Sequence, residues 1–445
     1  MQLTLQDAVR IGLENSVALK QVQNQVDLSD LALDRAKYQS KKLKEADEEL
    51  DTGKEQLNAI ESAINQGVLP PGITLPDGTV VTEPTPVSEL PLDDETKEKI
   101  ISSIKAEIES GKAAIESGES AIDAALQEAG AEFSDKLDFQ SLKSLDIDST
   151  RDMMTTMAEV SKEVTAASYG IYKNQIALLI QKDYYDVLKA QRMLDVKRKA
   201  LDRAQKQYEL AKAGYEEGMK AKDDMLLAEL YYQKTRIEYE QAVGELNNSM
   251  TALKADMNVS QDTPVQLTDV LVENVEGQDL AEGLKSGLTK RLEIKKTFGQ
   301  VIVYNLNFDV AAKTYPPNTF QYKEAALLKQ KAQLEYDNTR TAVESSIRQS
   351  YENMVRAGEM LKQSAEMVAK AAEVVEIANY KYNEGYGQDN SLLKQLNLED
   401  SAGTIVEVLA AEENLAGVEE KVVEITYGYN LARMKYLNDI CRFTY

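Results

Sequence analysis

Residues 180–218 read IQKDYYDVLKAQRMLDVKRKALDRAQKQYELAKAGYEEG, and residues 347–385 read IRQSYENMVRAGEMLKQSAEMVAKAAEVVEIANYKYNEG. In the first stretch Ile180, Val187, Leu194, Leu201, Tyr208 and Tyr215 stand seven apart. In the second, Ile347, Met354, Leu361, Val368, Val375 and Tyr382 do the same, and the offset between counterparts is constant from the Ile180/Ile347 pair to the Tyr215/Tyr382 pair. Three residues behind the later members comes a mostly small residue: Ala190, Lys197, Ala204 and Ala211, then Ala357, Ser364, Ala371 and Ala378. A seven-residue apolar repeat is a coiled-coil seam, because 3.5 residues per turn keep one face on a partner helix. Small residues at one seam position let neighbouring helices approach closely. An ordinary amphipathic helix has no reason to hold this register through five heptads twice.

Both series end alike, in Tyr215-Glu216-Glu217-Gly218 and Tyr382-Asn383-Glu384-Gly385, with each glycine where a C-terminal Gly stops a helix. A second helical stretch follows each, from about Asp223 to Met257 and from about Asn390 to Leu437. Each unit is expected to be an antiparallel helical hairpin with a glycine-containing tip. The arm from Tyr184 to Gly218 spans about 51 Å at 1.5 Å per residue.

An earlier repeat has a larger offset, again constant along its length. Gly12, Leu13, Val17, Leu19, Lys20, Leu31, Asp34 and Ala36 match Gly287, Leu288, Leu292, Ile294, Lys295, Leu306, Asp309 and Ala311. The chain therefore reads as a tandem duplication, 1–267 and 268–445. The offset falls between the two sets of matches because the first repeat carries a long surplus between its first and second helices, within 39–165. In that insertion Lys41 to Gln66 reads as a charged helix, Gly67 to Pro91 as a Pro/Gly loop, and Asp93 to Ala129 as a returning helix. Ile100, Ile104, Ile108, Ile115 and Ile122 mark the apolar stripe of the returning helix. Inside the loop, Asp77-Gly78 between β-prone residues suggests a small exposed hairpin over 73–81. The flanking prolines leave a free edge strand or a disordered tip equally open.

Composition removes whole classes of function. The 445 residues hold no His, no Trp and one Cys, so there is no Ser-His-Asp triad, Cys-His dyad or His-ligated zinc. An enzyme is not expected, and neither a catalytic residue nor a cofactor is assigned. A net charge of −24 argues against nucleic acid and anionic lipid as partners, since both need clustered Lys/Arg. Asp146, Asp148 and Asp152 have calcium-loop spacing, but the sixth position is not Gly and the twelfth is Met157, so no metal site is assigned. Cys441 is alone and allows no intramolecular disulfide. Tyr231-Tyr232, Tyr427 and Tyr429 read as interhelix contacts. No run approaches the roughly 18 apolar residues of a membrane helix. Met1 runs straight into Gln2-Leu3-Thr4-Leu5, which fits a cytoplasmic chain or one whose leader has been replaced by a start Met.

Several of these stretches resemble the TolC-like outer-membrane efflux proteins, over most of the chain outside 39–165. Leu3-Thr4-Leu5-Gln6-Asp7-Ala8-Val9 with Gly12-Leu13-Glu14-Asn15 resembles that family's opening. Tyr184-Tyr185-Asp186-Val187-Leu188-Lys189-Ala190 resembles its Tyr-x-x-Leu-x-Ala helix, and the two Tyr-x-x-Gly tips resemble its hairpin turns. The resemblance implies an all-α protomer of long antiparallel coiled-coil hairpins that joins others, as a trimer, into a hollow α-barrel. The hairpin tips, at Tyr215, Gly218, Tyr382 and Gly385, would line a closable entrance ringed by Asp223, Asp224 and Asp389. Asp224 stands six residues after Gly218, but the matching position after Gly385 is Ser391, with Asp389 nearby, and helix N-cap or first-turn chemistry is the plainer reading of all three acidic residues. The resemblance also implies a passive export or efflux conduit in the cell envelope, at the outer membrane or cell surface with its leader removed, working with a periplasmic-adaptor-like protein and an inner-membrane transporter.

One departure is expected. Members of that family cross the membrane on a β-barrel to which each repeat gives two strands between its first and second helices. Here the second repeat has only Tyr315-Pro316-Pro317-Asn318-Thr319 at that place, and a spanning strand needs about 9–11 residues. The first repeat has a charged helical insertion with at most a small β-hairpin. No lipid-spanning segment is therefore expected. This motivates a second functional reading, a structural or surface-assembly protein that uses the scaffold as a spacer or filament subunit.

Overall fold

The computed structural model describes residues 1–75, 78–137, 147–384 and 403–442. Ten helices dominate the described residues: α1 Leu5–Asn15, α2 Val17–Asn65, α3 Asp94–Leu137, α4 Ile147–Glu216, α5 Lys222–Asp256, α6 Leu280–Lys290, α7 Leu292–Thr314, α8 Phe320–Ser364, α9 Met367–Glu384 and α10 Ile405–Asp439. The described strands are two residues each: β1 (Gln2–Leu3), β2 (Val68–Leu69), β3 (Thr85–Pro86) and β4 (Gln266–Leu267). The fold is the all-α tandem of hairpins expected from the heptads. The expected Asp223–Met257 helix is α5 almost to the residue.

The matched stretches near the start of each repeat break alike. α1 ends at Ser16 and α6 at Arg291, which are counterparts, and both residues are extended (ψ 110° and 128°) before a new helix begins. Thr4 caps α1 by accepting from Asp7 N at 3.1 Å, and Asp279 caps α6 by accepting from Ala281 N at 2.8 Å.

The chain forms two compact units. The first comprises Met1–Asn24, Ala167–Lys296 and Asp337–Tyr445. β1 and β4 pair in parallel, Leu3 opposite Leu267. Beside them Leu3, Val9, Ile180, Tyr184, Val187, Leu253 and Met257 make a buried core. The Tyr184 hydroxyl lies 2.9 Å from both Leu3 O and Asp269 Oδ2. Asn430 on α10 holds the connector after β4 from both sides, donating to Val272 O and accepting from Val272 N at 2.9 Å each. A second core, Ala211, Ala228, Ala371, Val375, Ala378, Tyr382, Ile405, Val408, Ala411 and Leu415, joins the two hairpins. Ala211, Ala371 and Ala378 in it are small seam positions of the heptads, and they are buried as the close-approach reading requires.

The second seam departs from expectation in one respect: α8 stops at Ser364 and α9 starts at Met367. Ser364 is buried and its hydroxyl donates to Leu361 O at 2.9 Å, while Ala365 N turns to Lys362 O. The arm breaks there. Of the helix expected from about Asn390 to Leu437, residues 390–402 lie outside the described residues; α10 starts at Ile405, after an extended Thr404.

The second unit comprises Gln25–Ala166 and Thr297–Tyr336. Here α2 and α3 form an antiparallel coiled coil in which leucines sit over glycines: a Cβ on Gly111 would lie 2.8 Å from Leu57 Cδ1, and one on Gly118 2.7 Å from Leu50 Cδ2. Lys54–Glu119 and Lys112–Glu61, both 2.8 Å, cross the same pair. The loop beyond closes over Ile64, Leu69, Val81, Val87, Leu90, Ile100, Ile104 and Ile108. β2 pairs antiparallel with β3, and Thr74 bridges Val80 beside Gly78, whose φ is +87°. The small hairpin in the insertion is present, with Pro76 and Asp77 outside the described residues. α7 and α8 are joined by 315–319 alone.

Candidate functional site at the hairpin tips

The first tip is built by the end of α4. Gly218 has φ +72°, Gly218 N donates to Tyr215 O at 3.0 Å, and Met219 N donates to Gly214 O at 2.8 Å. This is a Schellman closure, which needs a residue without a Cβ penalty at the left-handed position. The turn aims Lys220 at the other hairpin. Its Nζ donates to Tyr382 O at 2.9 Å and stands 3.7 Å from the centre of the Tyr382 ring. The Tyr382 hydroxyl in turn donates to Asp224 Oδ2 at 3.4 Å.

Lys220, Tyr382 and Asp224 thus form one latch between α4–α5 and α9. Tyr382 is buried, and burial with the nearby Asp224 carboxylate pushes its phenol up to about 12. It stays a neutral donor at ordinary pH. Tyr215, its counterpart at the first tip, is 39% exposed. Asp223 is exposed in the first turn of α5, where no side chain caps the helix. Of the residues expected at the entrance, Tyr215, Gly218, Asp223 and Asp224 stand together at the first tip and Tyr382 reaches it from α9. Gly385 and Asp389 lie outside the described residues. Sequence reading missed Lys220, a cation two residues after the helix-stopping glycine with no spacing signal of its own.

Away from the latch the hairpins are tied by ion pairs that leave the seam. Arg203 on α4 reaches Glu412 (2.7 Å) and Glu419 (3.0 Å) on α10. Burial raises the Glu412 carboxyl and Arg203 opposes this. Lys197 reaches Glu238 on α5 (2.9 Å) and Glu420 on α10 (2.5 Å). Glu407, fully buried, receives Lys381 (3.2 Å) and Gly403 N (2.7 Å). The interhelix tyrosines are as expected: Tyr232 stacks on Tyr208 with centroids 5.9 Å apart, and the Tyr427 hydroxyl donates to Asp186.

No family profile matches the sequence, and no curated protein matches it. Solved structures do. The outer membrane protein VceC from Vibrio cholerae superposes with a TM-score of 0.51 at 15% identity, covering 65% of this chain and 75% of that one. CusC, described for its transmembrane channel formation, gives 0.51 at 13% over 65% and 74%. The CmeC outer membrane channel of Campylobacter jejuni gives 0.50 at 13% over 66% and 67%. The fold is TolC-like. These TolC-like neighbours are channel proteins, and at such low identity the likeness is one of fold alone. Where the TolC-like pattern would place strands, the described residues here hold α2, α3 and the 315–319 link. Among the described residues no helix is long and apolar enough to cross a membrane.

Proposed function

We propose that the chain is the subunit of a closed helical tunnel, a homotrimer, that serves as a passive export conduit in the cell envelope together with an adaptor protein and an inner-membrane transporter. The observation that carries this reading is the TolC-like fold of the two latched hairpins. Exposed apolar residues on the hairpins support it: Leu227, Leu230 and Ile237 on α5, and Met360, Met367 and Ile377 on the second arm, are left for neighbouring copies to cover. In this reading 1–267 and 268–445 are the two repeats of each protomer, and Asp223, Asp224 and Asp389 ring the entrance.

Native mass measurement at micromolar concentration should give one discrete closed oligomer, and electron microscopy should give short hollow cylinders. A stable monomer removes the conduit, and long filaments favour the spacer reading. Asp224→Asn with Asp389→Asn should weaken polyvalent-cation block in the reconstituted assembly, because crowded carboxylates attract cations. Unchanged block returns these residues to plain helix-start chemistry.

A further inference from the structure

α5 and α10 are counterparts that close in the same way. Each is 35 residues long and ends on an aspartate, Asp256 or Asp439. Two places further on, each has a residue with positive φ, Asn258 (50°) and Cys441 (54°). Met257 N donates to Leu253 O at 3.0 Å and Ile440 N to Tyr436 O at 3.1 Å; Val259 N then donates to Lys254 O and Arg442 N to Leu437 O, each at 2.9 Å. An aspartate at a helix C-terminus faces the negative end of the backbone dipole, so both positions call for a compensating cation.

In the second repeat side chains supply it. Asp439 is fully buried, and its carboxylate takes Arg291 at 3.0 Å, Lys435 at 2.5 Å and the Ser346 hydroxyl at 3.2 Å. In the first repeat Ser16 stands for Arg291, Ala252 for Lys435 and Leu179 for Ser346. A second acid has been added instead. Asp183, where the second repeat has Ser350, is 7% exposed, and its Oδ2 has no hydrogen-bond partner among the described residues. The Asp256 carboxylate stands beside it. Lys182 pairs with Asp186 at 2.7 Å, the Tyr427 hydroxyl also donates to Asp186, and the Ser16 hydroxyl accepts from Leu19 N at 3.1 Å. One carboxylate with two cations has thus become two carboxylates with no cation of their own, and a buried uncompensated carboxylate is costly.

We propose that Asp183 and Asp256 bind a divalent cation of the magnesium or calcium class, at the place where the second repeat seats Arg291 and Lys435. Asp183 Oδ2 is the inner ligand, and the exposed Asp256 closes the site from the solvent side. Two carboxylates balance the charge of one divalent ion. Hard cations of this class take oxygen donors, and one or two carboxylates with water completing the shell are enough to hold them. Bound there, the ion ties the last turn of α5 to α4.

The test is thermal unfolding at pH 8 and fixed ionic strength, after a chelator has removed divalent ions and magnesium or calcium chloride has been added back. The midpoint of the parent should rise by about 2–4 °C at saturation with at least one of the two ions. Asp183→Asn and Asp256→Asn should each lose most of that rise. Ala252→Lys copies Lys435 into the first repeat, so it should raise the midpoint of the metal-free protein and remove the response to the ion. A parent midpoint that neither ion moves overturns the site. So does a rise that persists undiminished in Asp183→Asn, since it would then belong to other exposed acids. If Asp183→Asn does not fold, Ala252→Lys decides alone: a full response to the ion in that variant overturns the proposal.

Discussion

The two hairpins share a seam and differ in nearly every polar position beside it. Counterparts at matching heptad positions make this plain. Lys197, which ties α4 to α5 and α10, answers to Ser364, where the second arm breaks. Arg203, turned inward to two glutamates, answers to Lys370, which pairs with its own neighbour Glu366 on the surface. Asp183 answers to Ser350, whose hydroxyl bonds back to Ile347 O at 3.1 Å. The apolar register is shared because any slip would rotate the seam off its partner helix. The charges differ freely, since an ion pair needs only one reach to be satisfied. The first hairpin thus carries the cross-ties and the second carries the apolar anchor, Tyr382.

The largest expected effect separates Arg203 from Lys370. Arg203→Ala leaves Glu412, 3% exposed, as an uncompensated buried carboxylate, and should cost about 3–5 kcal/mol in urea unfolding. Lys370→Ala should leave the unfolding midpoint where it is. Equal shifts would mean that the two repeats use the position alike.

Next comes Tyr382 against Tyr215. Truncating the buried ring to Ala removes the platform under Lys220 and opens a cavity, at about 3 kcal/mol. Tyr215→Ala, at an exposed ring, should stay below about 1 kcal/mol. A Tyr215→Ala cost matching that of Tyr382→Ala would show that the first tip is also anchored through its aromatic.

Asp183 sharpens the comparison through pH. Burial, and the Asp256 carboxylate beside it, push Asp183 up to about 7, with Lys182 opposing and Asp186 adding to the rise. Because the folded pKa is raised, the stabilising contribution is full below about 4, the unfolded value, and is lost as pH rises to about 7. The loss should be about 2 kcal/mol, discounted for partial solvent access. Asp183→Asn should flatten that part of the stability profile relative to the parent. Ser350→Ala should leave its shape unchanged. A parent profile superimposing on that of Asp183→Asn between pH 4 and 7 would refute the shift.

The smallest effect is at the tip. Gly218→Val forces a branched side chain into φ +72° and should cost on the order of 1 kcal/mol. Unchanged thermal stability would contradict the left-handed closure.

The heptads and the first tip glycine, Gly218, determined the helices and their hairpin pairing, because each is a local rule of period or backbone conformation that acts within a few residues. The short link 315–319 likewise fixed from length alone that no pair of spanning strands stands there. Only the tertiary structure decided the latch. Lys220 meets Tyr382 across 162 residues of chain, and nothing in the period of either helix marks which cation will reach which ring. The same holds for Arg203 with Glu412. Long charged side chains choose partners by the rotation and height of packed helices, and those are set only when all the seams close together.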